Sequence, residues 1–250
     1  MHARRHLLSY TLRGLGSASV HRGTAFEERS MSILRHDMSM SLKRVGGTGD
    51  GGIDFLGWWW LPHEISNESG SPLLKRTRIR VIGQCKAEKK KIGPNYVREL
   101  EGVLYRFLTQ KSDQEAILTD DMIISSHEET LTMRENPPPT VAVLVSQSAF
   151  TKSTILRANS SPIPFCLLHL PPLEEAGTEL PIEQVSGELS GTLGSVWCNP
   201  ALFGAKGLLR GRIEVRWERH LENGRAHPAL WWDGVRLPSW VPDPISATTL

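Results

Sequence analysis

The chain has 250 residues, of which 39% are hydrophobic and 22% are charged. It is therefore long enough for one full-sized core and has the composition of an ordinary globular protein. No run of about 18 apolar residues occurs, so a membrane-spanning helix is not expected. The cysteines are odd in number and widely spaced, at Cys85, Cys166 and Cys198. They form neither a disulfide framework nor a zinc motif, which favours a reducing compartment.

The first 25 residues contain four arginines, three histidines and no acidic residue. Their leucines, from Leu7 to Leu15, have a spacing compatible with a basic amphipathic helix. Such a start is typical of a mitochondrial transit peptide, which we assign to residues 1–22. A disordered basic arm that contacts nucleic acid is the alternative. Without these four arginines the formal net charge falls from +2 to −2, so any nucleic-acid contact must come from a local patch.

The next elements in the chain are a helix and a hairpin. Residues 23–42 are predicted to form the helix, with Thr24 as N-cap and Glu27 at capping-box spacing. The glycine-rich stretch that follows, residues 45–52, requires a turn or a close backbone approach. Two strands, 53–61 and 78–86, have β-type patterns and are joined by a polar loop, which predicts an antiparallel pair.

The remaining pattern alternates helices and short buried strands. Pro94 opens a helix whose apolar residues share one face. The later elements are a strand at 141–145, a helix at 151–158 capped by Thr151, a strand at 165–170 and a tail with a further hairpin and an aromatic cover. This order predicts an α/β fold with a mixed sheet flanked by helices.

The hairpin brings three chemistry-bearing residues together. Asp54 starts the first strand and Gln84 to Lys86 end the second, so they lie side by side in an antiparallel pair. Gln84 and Lys86 are two residues apart and share one face, whereas Cys85 points into the core on the other face.

These residue types suit a divalent metal ion, Mg²⁺ or Mn²⁺. Such ions prefer oxygen ligands, which Asp54, the side-chain carbonyl of Gln84 and the backbone carbonyl of Cys85 can supply. Glu27 is expected to complete the ligand set or to bind a second metal ion. Lys86 is expected to neutralise a substrate phosphate and to help orient or deprotonate an attacking water. The predicted catalytic residues are therefore Asp54, Gln84, Lys86 and Glu27.

Four segments together resemble the Mrr-type branch of the restriction-endonuclease-like, or PD-(D/E)xK, nucleases. They are Phe26-Glu27, residues 49–54, Gln84-Cys85-Lys86 and residues 97–102. In that branch a glutamine commonly stands in the acidic position before xK, as Gln84 does here. The resemblance covers about residues 23–170 and implies a restriction-endonuclease-like mixed sheet with a metal-dependent site.

A closer resemblance is to a fungal mitochondrial family named for being required for respiratory growth. It is carried by the arginine-rich leader, Gly57-Trp58, Leu61-Pro62, residues 91–94 and residues 197–200. This resemblance implies residence in the mitochondrial matrix. We therefore predict a leader at 1–22, a nuclease-like domain at 23–170 and an extension packed on it at 171–250.

Several residues keep two interpretations. Lys89, Lys90 and Lys91 form either a solvated basic run or a contact for a phosphate backbone. Trp58 to Trp60 alternate between faces, and the exposed ones could stack on bases, although packing or a dimer surface suits them better. Asp50 fits a structural turn, and Asp54 taken alone fits one equally well.

For function, the sequence predicts a Mg²⁺-dependent endonuclease that acts on mitochondrial DNA or RNA, with DNA favoured over RNA. The alternative is a catalytically silent nucleic-acid-binding or assembly factor on the same fold, because a fold does not establish an activity. A homodimer is compatible with the pattern but is not required by it.

Overall fold

The structure is a computed structural model that describes residues 3–46, 51–63, 75–109, 138–172, 193–219 and 226–242, with the side chains of the first helix described from residue 21 onward. This part of the chain contains a six-stranded mixed sheet flanked by helices and a separate three-stranded antiparallel sheet. The predicted α/β class with a mixed sheet is confirmed at this level.

The described helices are α1 (Ala3–Met38), α2 (Asn95–Thr109), α3 (Lys152–Asn159) and α4 (Pro200–Phe203). The large sheet contains β1 (Met40–Arg44), β2 (Phe55–His63), β3 (Lys75–Lys86), β4 (Thr140–Ser146), β5 (Phe165–His169) and β6 (Ser195–Cys198), in that spatial order. Strands β3, β4 and β5 are parallel, and the other pairs are antiparallel. The small sheet contains β7 (Ile213–Arg219), β8 (Ala226–Trp232) and β9 (Val235–Arg236).

Side-chain alternation along the central strands divides the core into two layers. Val81 and Val143 face one layer, which includes the buried residues of α1 and of the small sheet. Ile82 and Leu144 face the other layer, which includes the apolar side of α2. Both sides of β4 are covered, which explains its nearly continuous apolar pattern. Full burial of one large side chain, such as Trp59 in the first layer, stabilises the fold by about 1.5–3 kcal/mol.

The first predicted helix is wrong at both ends. It was expected at residues 23–42, but α1 begins at Ala3 and ends at Met38, and Ser39 has a positive φ of 56°. The next residues form β1 and pair with β2, because this pairing buries Met40 and half-buries Leu42. Thr24 is not an N-cap, since it lies inside the helix, where its hydroxyl accepts a hydrogen bond from Arg44.

The hairpin and the following elements agree with prediction. Strands β2 and β3 are antiparallel and extend beyond the predicted bounds, to His63 and from Lys75. Helix α3 is capped by Thr151, whose hydroxyl accepts from the Thr154 N–H. One residue of the predicted apolar face of α2 is misplaced, because Leu108 is 44% exposed. Most of the predicted loop at 62–77 and of segment 110–139 lies outside the described residues.

The tail forms a hairpin, as predicted, from β7 and β8. Strand β6 lies earlier in the tail and joins the large sheet as the edge neighbour of β5. Over the described residues, none of the helices combines the length and hydropathy that a bilayer crossing requires.

Candidate active site

The hairpin register places Asp54 beside the end of β3. Phe55 pairs with Gly83, so Asp54 stands opposite Gln84, and its N–H donates to the Gly83 carbonyl at 2.9 Å. The Asp54 carboxylate accepts a hydrogen bond of 2.6 Å from the Cys85 N–H. The structure therefore brings Asp54, Gln84 and Cys85 together, as the alternation of the two strands suggested.

Gln84 is a buried polar side chain with one unsatisfied end. Only 3% of the residue is exposed, and its Nε2 donates to Glu99 Oε1 at 3.0 Å. Its Oε1 is buried and has no hydrogen-bond partner among the described residues. The amide orientation is chemically defined, because only the nitrogen can donate to a carboxylate. An orphaned buried oxygen costs about 1–3 kcal/mol and would be satisfied by a cation or a water.

Glu99 on α2 is a site residue that sequence reasoning missed. Its carboxylate accepts a hydrogen bond from Gln84 Nε2 and lies 3.7 Å from Lys86 Nζ. Glu99 therefore contacts both Gln84 and Lys86. The only sequence signal was its place in the helix segment that carried the nuclease resemblance. The contact depends on how α2 packs across β3, which local periodicity does not specify.

The ammonium group of Lys86 also contacts an aromatic ring. Lys86 Nζ lies 4.9 Å from the centroid of the Tyr96 ring, within cation–π range. The Tyr96 hydroxyl donates a hydrogen bond to Glu88. This hydrogen bond, together with loss of solvent and the charges of Glu88 and Glu99, raises the pKa of Tyr96 to about 12. Tyr96 thus remains a neutral donor, and Lys86 is held between its ring and Glu99.

A glycine turn covers the amide of Gln84. Gly51 and Gly52 have φ values of 68° and 88°, which favour glycine. A Cβ on Gly52 would lie 3.5 Å from Gln84 Nε2 and 3.3 Å from a methyl group of Val103. Arg106 of α2 donates to the Gly51 carbonyl at 2.8 Å and fixes the turn. The glycine-rich stretch therefore has the close backbone approach that its composition predicted.

Glu27 lies near this end of the sheet but has another partner. Its carboxylate accepts a 2.5 Å hydrogen bond from Arg44 Nε, which raises the pKa of that guanidinium, and the charge of Asp54 adds to the effect. Cys85 lies on the opposite face from Gln84 and packs against the first core layer. Burial raises the pKa of the Cys85 thiol well above its usual range, with smaller contributions from Asp54 and Glu27.

The donor set fits a hard divalent cation in part. Within the described ranges, no group of three His, Cys, Asp or Glu side chains is placed to hold a metal ion. Asp54 nevertheless supplies one carboxylate at the same end of β3 as Gln84, whose Oε1 has no hydrogen-bond partner among the described residues. Mg²⁺ commonly takes one or two carboxylates and keeps several waters, so a site with few protein oxygens suits it.

The predicted nucleic-acid lysines follow the site directly. Lys89, Lys90 and Lys91 are exposed in the loop between β3 and α2. Lys90 Nζ lies 3.7 Å from Glu88, a solvent-exposed ion pair that contributes little to stability. The structure therefore brings the three lysines to the same end of the sheet as Lys86.

Two comparisons with known proteins bear on this arrangement. Residues 18–135 match the family model described as Required for respiratory growth protein 7. An uncharacterized mitochondrial protein of Schizosaccharomyces pombe is 39% identical over 93 residues, which are 37% of this chain and 33% of that protein. The match thus spans about a third of the curated relative. No solved structure matches the chain.

These matches support the assignment to the respiratory-growth family that the sequence motifs indicated. The protein is mitochondrial, as predicted. The family match covers the hairpin, Asp54, Gln84, Lys86 and Glu99, and it ends before β4.

Proposed function

We propose that this chain is a metal-dependent phosphodiesterase of restriction-endonuclease-like fold that acts on mitochondrial DNA. The observation that carries the proposal is the buried, unpartnered Oε1 of Gln84, in the residue before Cys85, whose N–H donates to the Asp54 carboxylate. A buried polar atom without a partner is uncommon and points to a missing ligand. In this proposal the protein supports respiratory growth by maintaining the mitochondrial genome.

Each residue of the site has a role in the proposal. Asp54, Gln84 Oε1 and the Cys85 carbonyl would hold Mg²⁺ or Mn²⁺, and Glu27 would join them after leaving Arg44. When bound, the metal ion neutralises phosphate charge and lowers the pKa of a coordinated water. Lys86 presents a cation at the same strand end, where it binds a phosphate oxygen and orients the attacking water. Lys89, Lys90 and Lys91 bind the adjacent phosphate backbone.

A nuclease assay with matched variants tests this proposal. The full chain is incubated with plasmid, linear duplex, single-stranded DNA and RNA in Mg²⁺, Mn²⁺ or EDTA. We expect cleavage of DNA that needs metal and falls at least about 100-fold in Asp54→Asn and Lys86→Ala. Asp233→Asn and Lys206→Ala are matched controls outside the site. Cleavage that persists in both site variants would overturn the assignment.

A second candidate is a nuclease fold that binds nucleic acid without cutting it. It is favoured by the contacts already made, since the Cys85 N–H occupies an oxygen of Asp54 and Arg44 engages Glu27. Under this alternative no substrate is cut in any metal, and nucleic-acid affinity is the same in wild type and Asp54→Asn. Sedimentation of the same samples tests whether the chain forms the homodimer that the sequence pattern permits.

A further inference from the structure

One face of the first three strands combines cations with indole rings. Strands β1, β2 and β3 contain seven lysines and arginines and no aspartate or glutamate. Alternation and register bring the following residues to the same face: Lys43, Trp58, Trp60, Arg76, Arg78 and Arg80. We call this set, together with Trp240, the arginine–tryptophan face.

The residues of this face stack on one another. The guanidinium of Arg78 lies 4.6 Å from the centroid of Trp58, and that of Arg76 lies 4.8 Å from the centroid of Trp240. Trp60 meets Trp240 edge to face at 5.7 Å. A guanidinium that stacks uses its flat side, and its N–H donors point outward in its own plane, the geometry that binds phosphate.

Trp240 supplies the accessible ring of the set. Trp240 is 40% exposed. Its backbone N–H donates to the Ser39 hydroxyl at 3.0 Å, which fixes the position of the backbone. Trp60 is half-buried and its indole N–H donates to Ser41 at 2.8 Å. Fixed, partly exposed rings next to cations are the combination that holds unpaired bases.

Arg76 is the residue of this face whose charge is least compensated in the described part of the chain. Its Nη1 is buried without a hydrogen-bond partner among the described residues. Burial also lowers the pKa of Arg76, because the charged form loses solvent without gaining a carboxylate. A desolvated guanidinium in this state is stabilised by an anionic ligand.

The face lies on the same side of β3 as the side chains of Gln84 and Lys86. Arg76, Arg78 and Arg80 occupy alternate positions of β3, and the same alternation leads through Ile82 to Gln84 and Lys86. Lys86 is six residues beyond Arg80, a distance of roughly 20 Å along a strand. Ile82 lies between the face and the site and is fully buried under α2, so the face and the site are separate surfaces of the same strand.

We propose that the arginine–tryptophan face binds single-stranded nucleic acid, with the arginines on phosphates and Trp240 and Trp60 on bases. This binding does not rest on the proposed function. A duplex hides its bases inside the stack, so the exposed ring of Trp240 favours a single strand.

Fluorescence anisotropy in EDTA tests the binding, with the full chain, labelled 30-nucleotide deoxythymidine and uridine oligomers, and a labelled duplex. We expect the single strands to bind more tightly than the duplex. The double variant Arg76→Gln/Arg78→Gln should weaken single-strand binding at least about 10-fold and lower the salt slope by about 1.4, since each lost phosphate contact removes about 0.7 on a single strand. Arg212→Gln/Arg216→Gln, which removes two stacked arginines of the small sheet, is the matched control.

Thermal unfolding of both double variants shows whether they fold. If the Arg76→Gln/Arg78→Gln protein does not fold, the single variant Arg76→Gln replaces it, with an expected loss of about 3-fold and a smaller salt slope. A folded variant with unchanged affinity and salt slope overturns the proposal. So does a variant that loses binding to vesicles containing phosphatidylserine but keeps binding to the oligomers, which would identify a membrane surface instead.

The binding and catalytic proposals fail separately. Binding in EDTA that depends on Arg76 and Arg78, with no cleavage in any metal, would support nucleic-acid binding by the arginine–tryptophan face and would overturn the proposed phosphodiesterase activity. Metal-dependent cleavage that depends on Asp54, with a KM unaffected by the arginine variants, would support the phosphodiesterase activity and would overturn nucleic-acid binding by the arginine–tryptophan face.

Discussion

The two sheets of this protein use the same stacking contact with opposite electrostatic consequences. In the small sheet Arg212 lies 4.7 Å from the Trp232 centroid, and Arg216 lies 4.3 Å from that of Trp231. Acidic residues accompany these arginines. Arg212 binds Asp233, and Arg216 lies 2.8 Å from Glu214. In the large sheet, β1 to β3 contain no acidic residue at all.

This difference separates a structural contact from a recognition surface. When a stacked arginine has a carboxylate partner, the carboxylate neutralises its positive charge, so the pair adds little to the electrostatic field outside the protein. The strands of the arginine–tryptophan face supply no acid of their own, and Arg76 Nη1 has no hydrogen-bond partner among the described residues, so positive charge at Arg76 attracts a polyanion. Arginine and tryptophan together therefore do not indicate nucleic-acid binding, whereas the missing acid does.

The largest effect is expected where the chain passes from the large sheet toward the small one. Asn199 is buried, accepts from the N–H groups of Phe165 and Leu202, and donates to three carbonyls, which belong to Ala158, Ser161 and Ile163. Asn199→Ala leaves these groups unpaired, so we expect it to lower the free energy of unfolding by about 3 kcal/mol or more. Denaturant unfolding measures the loss.

Asn159→Ala, at the exposed end of α3, is the matched control and should change stability by less than about 0.5 kcal/mol. Two separate unfolding transitions in Asn199→Ala would show that the sheets are independent units. An unchanged midpoint would contradict the assigned role of Asn199.

The next effect concerns the large sheet alone. Glu99→Leu removes the acceptor that orients Gln84 and the partner of Lys86, so we expect Mn²⁺ affinity to fall about 10-fold, a typical cost of losing a residue that supports a metal ligand. Glu99→Gln keeps an acceptor oxygen and should restore most of the affinity. Calorimetric titration with Mn²⁺ distinguishes the two variants. Equal affinity in wild type and Glu99→Leu would remove Glu99 from the site.

Sequence patterns predicted which residues of the candidate site lie next to one another within one hairpin. The adjacency of Asp54 and Gln84 follows from strand alternation and antiparallel pairing, which are local. The residues that were missed depend on tertiary packing. Glu99 reaches Gln84 only because α2 crosses β3, and Trp240 reaches Arg76 from a distant part of the chain.

The fold prediction shows the same difference between local patterns, which were read correctly, and tertiary contacts, which were not. Strands β4 and β5 and helix α3 have strong apolar patterns and a visible cap, so they were located correctly. Strand β1 was assigned to the preceding helix because five residues carry little periodicity, and only pairing with β2 makes them a strand. Helix propensity in this segment was overridden by a long-range contact.

A pair of tryptophan variants sharpens the contrast between the sheets. Trp240 and Trp217 are both partly exposed, at 40% and 60%, but only Trp240 belongs to the arginine–tryptophan face. We expect Trp240→Ala to weaken binding of a 30-nucleotide deoxythymidine oligomer by about 1 kcal/mol, or roughly 5-fold, through loss of one stacking ring. Trp217→Ala should leave affinity unchanged. The same loss in both variants would mean that exposed rings bind bases without help from neighbouring arginines.

The smallest effect extends the contrast to histidines. In the small sheet His227 Nε2 lies 3.8 Å from Glu218. In the large sheet burial lowers the pKa of His169, although a backbone hydrogen bond with Gln147 opposes this. The folded protein therefore binds this proton less readily than the unfolded chain, so the contribution of His169 is complete above pH about 6.5 and is lost as pH falls below it.

Because the His169 ring is partly exposed, the loss should stay below about 1 kcal/mol. His169→Gln has no titrating ring and should flatten the decline in stability between pH 7 and pH 5, measured as the denaturant midpoint at each pH. His227→Gln should leave that part of the decline in place. If His227→Gln flattened the curve instead, the acid sensitivity would belong to the small sheet.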